Sequence, residues 1–256
     1  AAVPDTAVDR DVREWRVRIC LRQGNWPVAL YWLDRLSAEE RDSPRWHYWR
    51  GRTLEALSRM DEAKPIYQGI ANRRDYYGFL AADRLSTPYA ISSTPLVIPA
   101  SDLDALLTGS PGLRRARELY TLGRESEADA EWQQATQGFN RQALQQAAVL
   151  AHRWDWHPQA IATISRAEHW DNLELRFPLA YRDVVINNAR ADMVDPSWVY
   201  AVIRQESSFR PAARSPVGAL GLMQIMPATG HQIAQELRDA SADHPALLKP
   251  DINLRY

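Results

Sequence analysis

Apolar residues recur at helical spacing through residues 5–85, as in Val12, Trp15, Val17 and Ile19, then Val28, Leu30, Trp32, Leu33 and Leu36. Gly24, Ser43-Pro44 and Met60-Asp61 break this pattern, and sustained strand alternation is absent. A weak repeat overlies it. Gly24-Asn25-Trp26-Pro27-Val28-Ala29 resembles Ser58-Arg59-Met60-Asp61-Glu62-Ala63, at an offset of 34 residues. Gly123 to Ala128 is a third copy and His157-Pro158-Gln159-Ala160 a fainter one. Each places an alanine at the start of a helix after a turn. Such a period fits stacked helical hairpins of the solenoid type; otherwise these are only similar helix starts.

The pattern changes twice more. Ser86 to Pro99 carries Pro88, Pro95 and Pro99 and reads as a linker, after which helices resume near Asp102 and run to about Ser165. Phe177-Pro178 precedes another helix to Ala191. Beyond Met193 the chain stops stacking helices. Asp195-Pro196 starts a helix to about Ser207, Pro211 forbids its continuation, and Pro227 opens a helix with Ile233 and Leu237 inward.

Composition narrows the class only slightly. The 256 residues carry 31 Lys plus Arg against 32 Asp plus Glu, which gives no global electrostatic case for nucleic acid or an anionic membrane. The one cysteine, Cys20, cannot form an intrachain disulfide and reads as an ordinary buried residue. No apolar run reaches the roughly 18 residues a membrane span needs, and the N-terminus lacks the pattern of a signal peptide. No phosphate loop and no metal-ligand cluster occurs, so no cofactor is expected, and His152 and His157 read as surface or packing residues. The ten tryptophans suit helical packing better than sugar contact, taken singly.

The candidate chemistry lies in the last quarter. Val199, Val202, Ile203 and Glu206 fall at i, i+3, i+4 and i+7, which places Glu206 on the apolar stripe, facing inward at a helix C-terminus. Desolvation and the helix dipole would both raise its pKa, as general acid catalysis requires. A buried carboxylate held by Arg210 or Arg214 explains the same helix equally well. The following segment, Ser215 to Pro227, combines Gly218 and Gly221 with Met223, Gln224 and Met226. It is either a turn-rich packing motif or part of a binding surface.

Gln205-Glu206-Ser207-Ser208-Phe209-Arg210-Pro211, followed by Ser215-Pro216-Val217-Gly218-Ala219-Leu220-Gly221-Leu222-Met223-Gln224-Ile225-Met226-Pro227-Ala228-Thr229, resembles the catalytic signature of the soluble lytic murein transglycosylases, in the goose-lysozyme-like group. Trp170 to Tyr181 resembles the segment leading into the catalytic domain of their large periplasmic members. The resemblance implies an all-α chain: a superhelical array of hairpins with a Pro-rich linker (1–99), a helical linker domain (100–192), and the first part of a lysozyme-like domain (193–256). It implies cleavage of the β-1,4 bond between N-acetylmuramic acid and N-acetylglucosamine with formation of a 1,6-anhydro ring, in the periplasm. One Glu, here Glu206, would act as acid and then base. Gln224 and Met226 would line the sugar site, and Ser215 would orient Glu206. No Asp or Glu lies between Glu206 and Glu236, in keeping with one carboxylate assisted by the substrate's N-acetyl group rather than a pair. Peptidoglycan strands and cell-wall synthases are the implied partners.

Two departures qualify this. The helical array is short, and the family's Ala-Tyr-Asn-Ala-Gly segment, whose Tyr and Asn complete the sugar site, does not occur. The expectation is therefore a fragment at both ends, weakly active or inactive as it stands. The competing readings are a goose-type lysozyme that hydrolyses the bond, a non-catalytic helical-repeat module binding glycan or protein partners, and a purely structural scaffold.

Overall fold

The four turns of the weak repeat share one backbone device. Gly24, Ser58, Gly123 and Asp155 adopt left-handed φ of 67°, 60°, 71° and 55°. In each, the next amide reaches back five residues: Asn25 to the Cys20 carbonyl, Arg59 to Leu54, Arg124 to Leu119 and Trp156 to Ala151, at 2.9–3.0 Å. This is the bond that closes a helix C-terminus around a left-handed residue. The chain then re-enters a helix at once. The alanine four residues on (Ala29, Ala63, Ala128, Ala160) has no exposed surface at all, because the neighbouring helix packs directly over its Cβ. A turn that reverses the chain and a residue small enough to let two helices touch together make a hairpin.

The computed structural model describes residues 9–239 and 244–256. Contacts divide the chain into two units, with the boundary between Ser92 and Ser93, inside the stretch read as a linker. In the first unit, α1 (Arg10–Arg22), α2 (Trp26–Leu33), α3 (Ala38–Arg41), α4 (Pro44–Ala56), α5 (Met60–Ile70) and α6 (Tyr76–Leu85) follow one another. Asp9, Asn25, Ser37, Ser43 and Asp75 cap all of these except α5. One core joins Val17, Leu33, Leu36 and Trp46, and another Leu54, Ala63, Tyr67 and Ala81. The expected helices form, but α1 buries a different face from its most apolar one. Glu14, Val17 and Cys20 are inside, while Trp15 and Ile19 are 58% and 51% exposed. Glu14 tolerates burial because Arg10, Arg18 and Arg45 surround its carboxylate.

The second unit begins with an extended strap. The Thr94 amide donates to the Asp171 carbonyl at 2.7 Å, and the Ser93 hydroxyl accepts from the Leu173 amide. Then come α7 (Ala100–Gly109), α8 (Pro111–Thr121), α9 (Glu125–Thr136), α10 (Arg141–Arg153), α11 (His157–Arg166) and α12 (Leu173–Arg176). Their core centres on Trp132 and Trp156, both essentially buried, with Trp132 Nε1 donating to Thr163 Oγ1 at 3.0 Å. The tryptophans are otherwise divided, since Trp170 and Trp198 are 48% and 68% exposed. The chain continues through α13 (Arg182–Ala191), α14 (Pro196–Glu206), α15 (Pro227–Leu237), a short 3-10 turn (His244–Leu248) and α16 (Pro250–Arg255). Ile161 of α11, Val185, Ile203, Phe209, Leu222 and Leu254 form the core of this last part. Leu237, expected inward, is 52% exposed; α15 instead buries Gly230 and Ala234, where Leu247 lies against Gly230 too closely for a Cβ. The fold is all-α, with only isolated bridges of Leu220 to Arg214 and Ile225 besides helices among the described residues.

Candidate active site

α14 begins as its sequence dictates: the Asp195 carboxylate accepts from the Ser197 amide at 2.8 Å, and Pro196 occupies the first turn. It ends at Glu206. Ser207 caps it with its amide on the Ile203 carbonyl, and Ser208 and Phe209 then both adopt left-handed φ, 50° and 68°. Two consecutive non-glycine residues in this region are uncommon and cost about 1–2 kcal/mol each. The compensation is Phe209, which is 2% exposed among Ile203, Leu222 and the rings of Tyr200 and His157.

This turn corrects the expectation for Glu206. Of the proposed stripe, Ile203 is fully buried and Val199 and Val202 partly so, but Glu206 is exposed rather than inward. The apolar slot at the end of the helix goes to Phe209, and the Glu206 carboxylate stays exposed among the described residues. Glu206 makes no hydrogen bond or ion pair among the described residues. The alternative of a carboxylate neutralised by Arg210 also fails. The Arg210 guanidinium donates to Asp129 Oδ2 at 2.7 Å and has Glu125 at 3.7 Å.

The motif after Pro211 is a loop built by its own polar groups. Ser215 and Ala219 pair through the Ser215 amide and the Ala219 carbonyl at 2.9 Å, while the Ser215 hydroxyl accepts from the Ala219 amide at 2.9 Å. Gly218 makes this turn possible at φ 93°. Ser215 is thus spent on its own loop and makes no bond to Glu206 among the described residues. Leu220 and Ile225 then exchange both backbone bonds at 3.0 Å, closing a tight hairpin with Gly221 and Gln224 left-handed at 75° and 51°. The Gln224 amide nitrogen donates to the Gly221 and Ala213 carbonyls at 2.8 and 3.3 Å. Met226 precedes α15 and is 43% exposed.

The structure brings Ser215 and Gln224 into one loop and packs that loop's Leu222 against Ile203, one turn before Glu206. It joins none of the three loop residues to Glu206 by a hydrogen bond among the described residues. Sequence reasoning missed the residue that holds the loop. Asn253 of α16, 1% exposed, accepts from the Met223 amide at 2.7 Å and donates to the Leu220 and Leu247 carbonyls at 3.0 and 2.7 Å. Its contacts lie 6 to 33 residues away, so no local pattern marks it. Gly221 is a second such element: a Cβ there would stand 2.3 Å from the Leu247 carbonyl and 2.4 Å from Asn253 Nδ2.

Another face of α14, through Tyr200, Ala201, Arg204 and Gln205, lines a groove of about 420 Å³ with Phe177 and Phe209; Glu206 does not line it. Burial holds the Arg204 guanidinium below its usual value, and Arg176 adds to this. Its Nε nonetheless donates to the Arg176 carbonyl at 2.8 Å. Among the described residues no helix is long and apolar enough to cross a membrane.

Comparison with known proteins gives these features a context. Residues 107–173 match the soluble lytic murein transglycosylase L domain family, and residues 183–256 the transglycosylase SLT domain family. A soluble lytic murein transglycosylase of Salmonella typhimurium is 33% identical over 242 residues, 94% of this chain and 37% of the relative. An inactive mutant of lytic transglycosylase from Pseudomonas aeruginosa, its glutamate replaced by glutamine, superposes with a TM-score of 0.87 at 38% identity, over 96% of this chain and 40% of that one. The 70 kDa soluble lytic transglycosylase of Escherichia coli superposes with a TM-score of 0.89 at 30% identity, over 98% and 40%. The chain thus spans about two fifths of the length of these relatives, and it belongs to the soluble lytic murein transglycosylase family.

Proposed function

We propose that the protein carrying this chain cleaves peptidoglycan glycan strands by transglycosylation, with Glu206 as acid and then base. The observation that carries this is the state of Glu206: an exposed, unpaired carboxylate fixed at the end of a capped helix, beside a loop organised by its own hydrogen bonds. A carboxylate kept free of cations can exchange a proton with a bound substrate. A glycan settling over it would supply the water exclusion that the described residues do not provide.

In this reading Glu206 protonates the leaving glycosidic oxygen, then takes the proton of the muramic C6 hydroxyl as that oxygen closes onto the anomeric carbon. The motif loop supplies no second carboxylate, so the N-acetyl group of the substrate stabilises the intermediate. Met226 gives the sugar an apolar surface and Gln224 a hydrogen-bonding edge, with its amide nitrogen held by the loop. Ser215 contributes by shaping the loop rather than by holding Glu206. The inactive glutamine mutant of the Pseudomonas aeruginosa relative is in keeping with a mechanism that rests on one glutamate. We read residues 1–99, 100–192 and 193–256 as hairpin array, linker domain and catalytic part. The periplasm, where murein lies, is the compartment this activity requires, and enzymes that build the wall are the partners it suggests.

The test is mass spectrometry of muropeptides released from peptidoglycan by the full-length protein and by its Glu206→Gln variant. The wild type is expected to give 1,6-anhydro ends and the variant none. Reducing ends from the wild type would make it a hydrolase, and turnover by the variant would remove Glu206 from the mechanism.

A further inference from the structure

Arg210 lies four residues beyond Glu206, at the exit of the double left-handed turn. Its guanidinium is the first polar anchor after that turn, and the anchor is far away in sequence. Asp129 of α9, which accepts its 2.7 Å bond, is 81 residues earlier. Asp129 is itself oriented: its other oxygen accepts from Gln159 Nε2 of α11 at 2.5 Å, and Gln159 is 6% exposed. Glu125, one turn before Asp129, adds a second negative charge at 3.7 Å from Arg210. Beside this polar anchor stands an apolar one, with the Phe209 ring against His157 at the start of α11.

The backbone between Glu206 and Arg210 has no regular structure to hold it. Local bonds shape its first half: the Ser207 hydroxyl donates to the Ile203 carbonyl and the Ser208 hydroxyl to the Arg204 carbonyl, at 3.1 and 3.4 Å. Its far end is fixed by Phe209, packed in the core beside His157 of α11, and by Arg210, bonded to Asp129 of α9, two helices within the region that matches the L domain family.

We propose that Asp129 is a positioning residue for the transglycosylase reaction, acting through Arg210 to fix the end of α14 and hence the carboxylate of Glu206. This rests on the reading of Glu206 as the acid. The pair is partly open to water, with the Arg210 and Asp129 side chains 29% and 22% exposed. An ion pair so placed contributes little to overall stability. Placement of a catalytic group is a different matter, since a shift of about 1 Å can cost on the order of 100-fold in rate. The pair should therefore weigh on turnover far more than on folding.

The experiment compares Asp129→Ala, Arg210→Ala, the double variant and Asp129→Asn in the full-length protein, acting on soluble uncrosslinked glycan strands. Each alanine variant is expected to lower kcat about tenfold, a tenth of that limiting misplacement effect. KM should stay near wild type, and so should the denaturation midpoint of Arg210→Ala; Asp129→Ala also strips the buried Gln159 amide of its acceptor and should lower the midpoint. The double variant should be no slower than the slower single, because both singles already remove the Arg210–Asp129 bond. Asp129→Asn keeps an acceptor for Arg210 and should recover part of the rate. Wild-type kcat in Asp129→Ala, additive losses in the double variant, or a rate loss in Arg210→Ala matched by a lowered midpoint would each overturn the proposal. Glu206→Gln is measured alongside. If it retains turnover, the reading of the acid fails; if it is dead while Asp129→Ala is fully active, only the positioning role fails.

Discussion

Two turns of the second unit contain a glycine at nearly the same backbone angle, and they do different work. Gly123, at φ 71°, reverses the chain between α8 and α9 and faces open space. Gly221, at φ 75°, closes the motif hairpin and lies against the Leu247 carbonyl and the Asn253 amide. The first is one instance of a device shared by all four turns of the repeat. Its requirement is a left-handed residue, and Ser58 and Asp155 meet it without being glycine. The second differs, because its requirement is the absence of a side chain. Regular stacking can be built from interchangeable parts, whereas the motif loop depends on single polar groups that meet once.

Gly221→Ala should have the largest effect on stability of the changes in this comparison. A left-handed alanine costs about 1–2 kcal/mol. The Cβ must also displace backbone and a buried amide, in the range of about 1–3 kcal/mol for overpacking. A loss of about 3 kcal/mol by urea denaturation is expected. A loss under about 1 kcal/mol would mean that the Asn253 cluster yields easily and that the loop is no more exacting than a repeat turn.

Gly123→Ala is the matched control with a smaller effect. It carries the same backbone penalty with nothing to strike, so about 1 kcal/mol should be lost. The difference between the two substitutions isolates the close approach at Gly221. Equal losses would erase the distinction on which the comparison stands.

The same contrast explains what the sequence disclosed. The helix start at Asp195-Pro196 was legible because a cap and a proline act on their immediate neighbours; Ser43-Pro44, read only as a break, caps and opens α4 in the same way. The repeat was legible because Ala29, Ala63, Ala128 and Ala160 answer one packing demand four times. The inner face of α1 was not, since Glu14 is buried by arginines from elsewhere while Trp15 stays outside. In the site, the resemblance singled out Glu206, Ser215, Gln224 and Met226 by position. Periodicity misplaced Glu206, because it assumes that a stripe is buried to its end. Asn253 and Asp129 gave no local signal, as their contacts cross 30 and 81 residues.

The smallest expected effect belongs to His157, where the two kinds of structure meet. It opens the last repeat helix and packs against Phe209 of the turn after Glu206. Burial holds its imidazole below the ordinary 6.5, against an opposing pull from Asp155 and with a further push from His152; Glu174 lines the same groove. Below pH 6.5 the unfolded chain therefore binds a proton at this position that the folded chain resists. The stability from neutral His157 is fully present above that pH and is lost as the pH falls toward the folded value. Thermal midpoints of the wild type and of His157→Gln, compared at about pH 7.5 and about pH 5, should show a steeper acid loss in the wild type. Parallel losses would mean that the imidazole is not confined by Phe209 and α10. Of the ties from α9 and α11 to the turn after Glu206, Arg210 with Asp129 would then carry the larger share, which would make the effect of Asp129→Ala on turnover larger than the paired anchors imply.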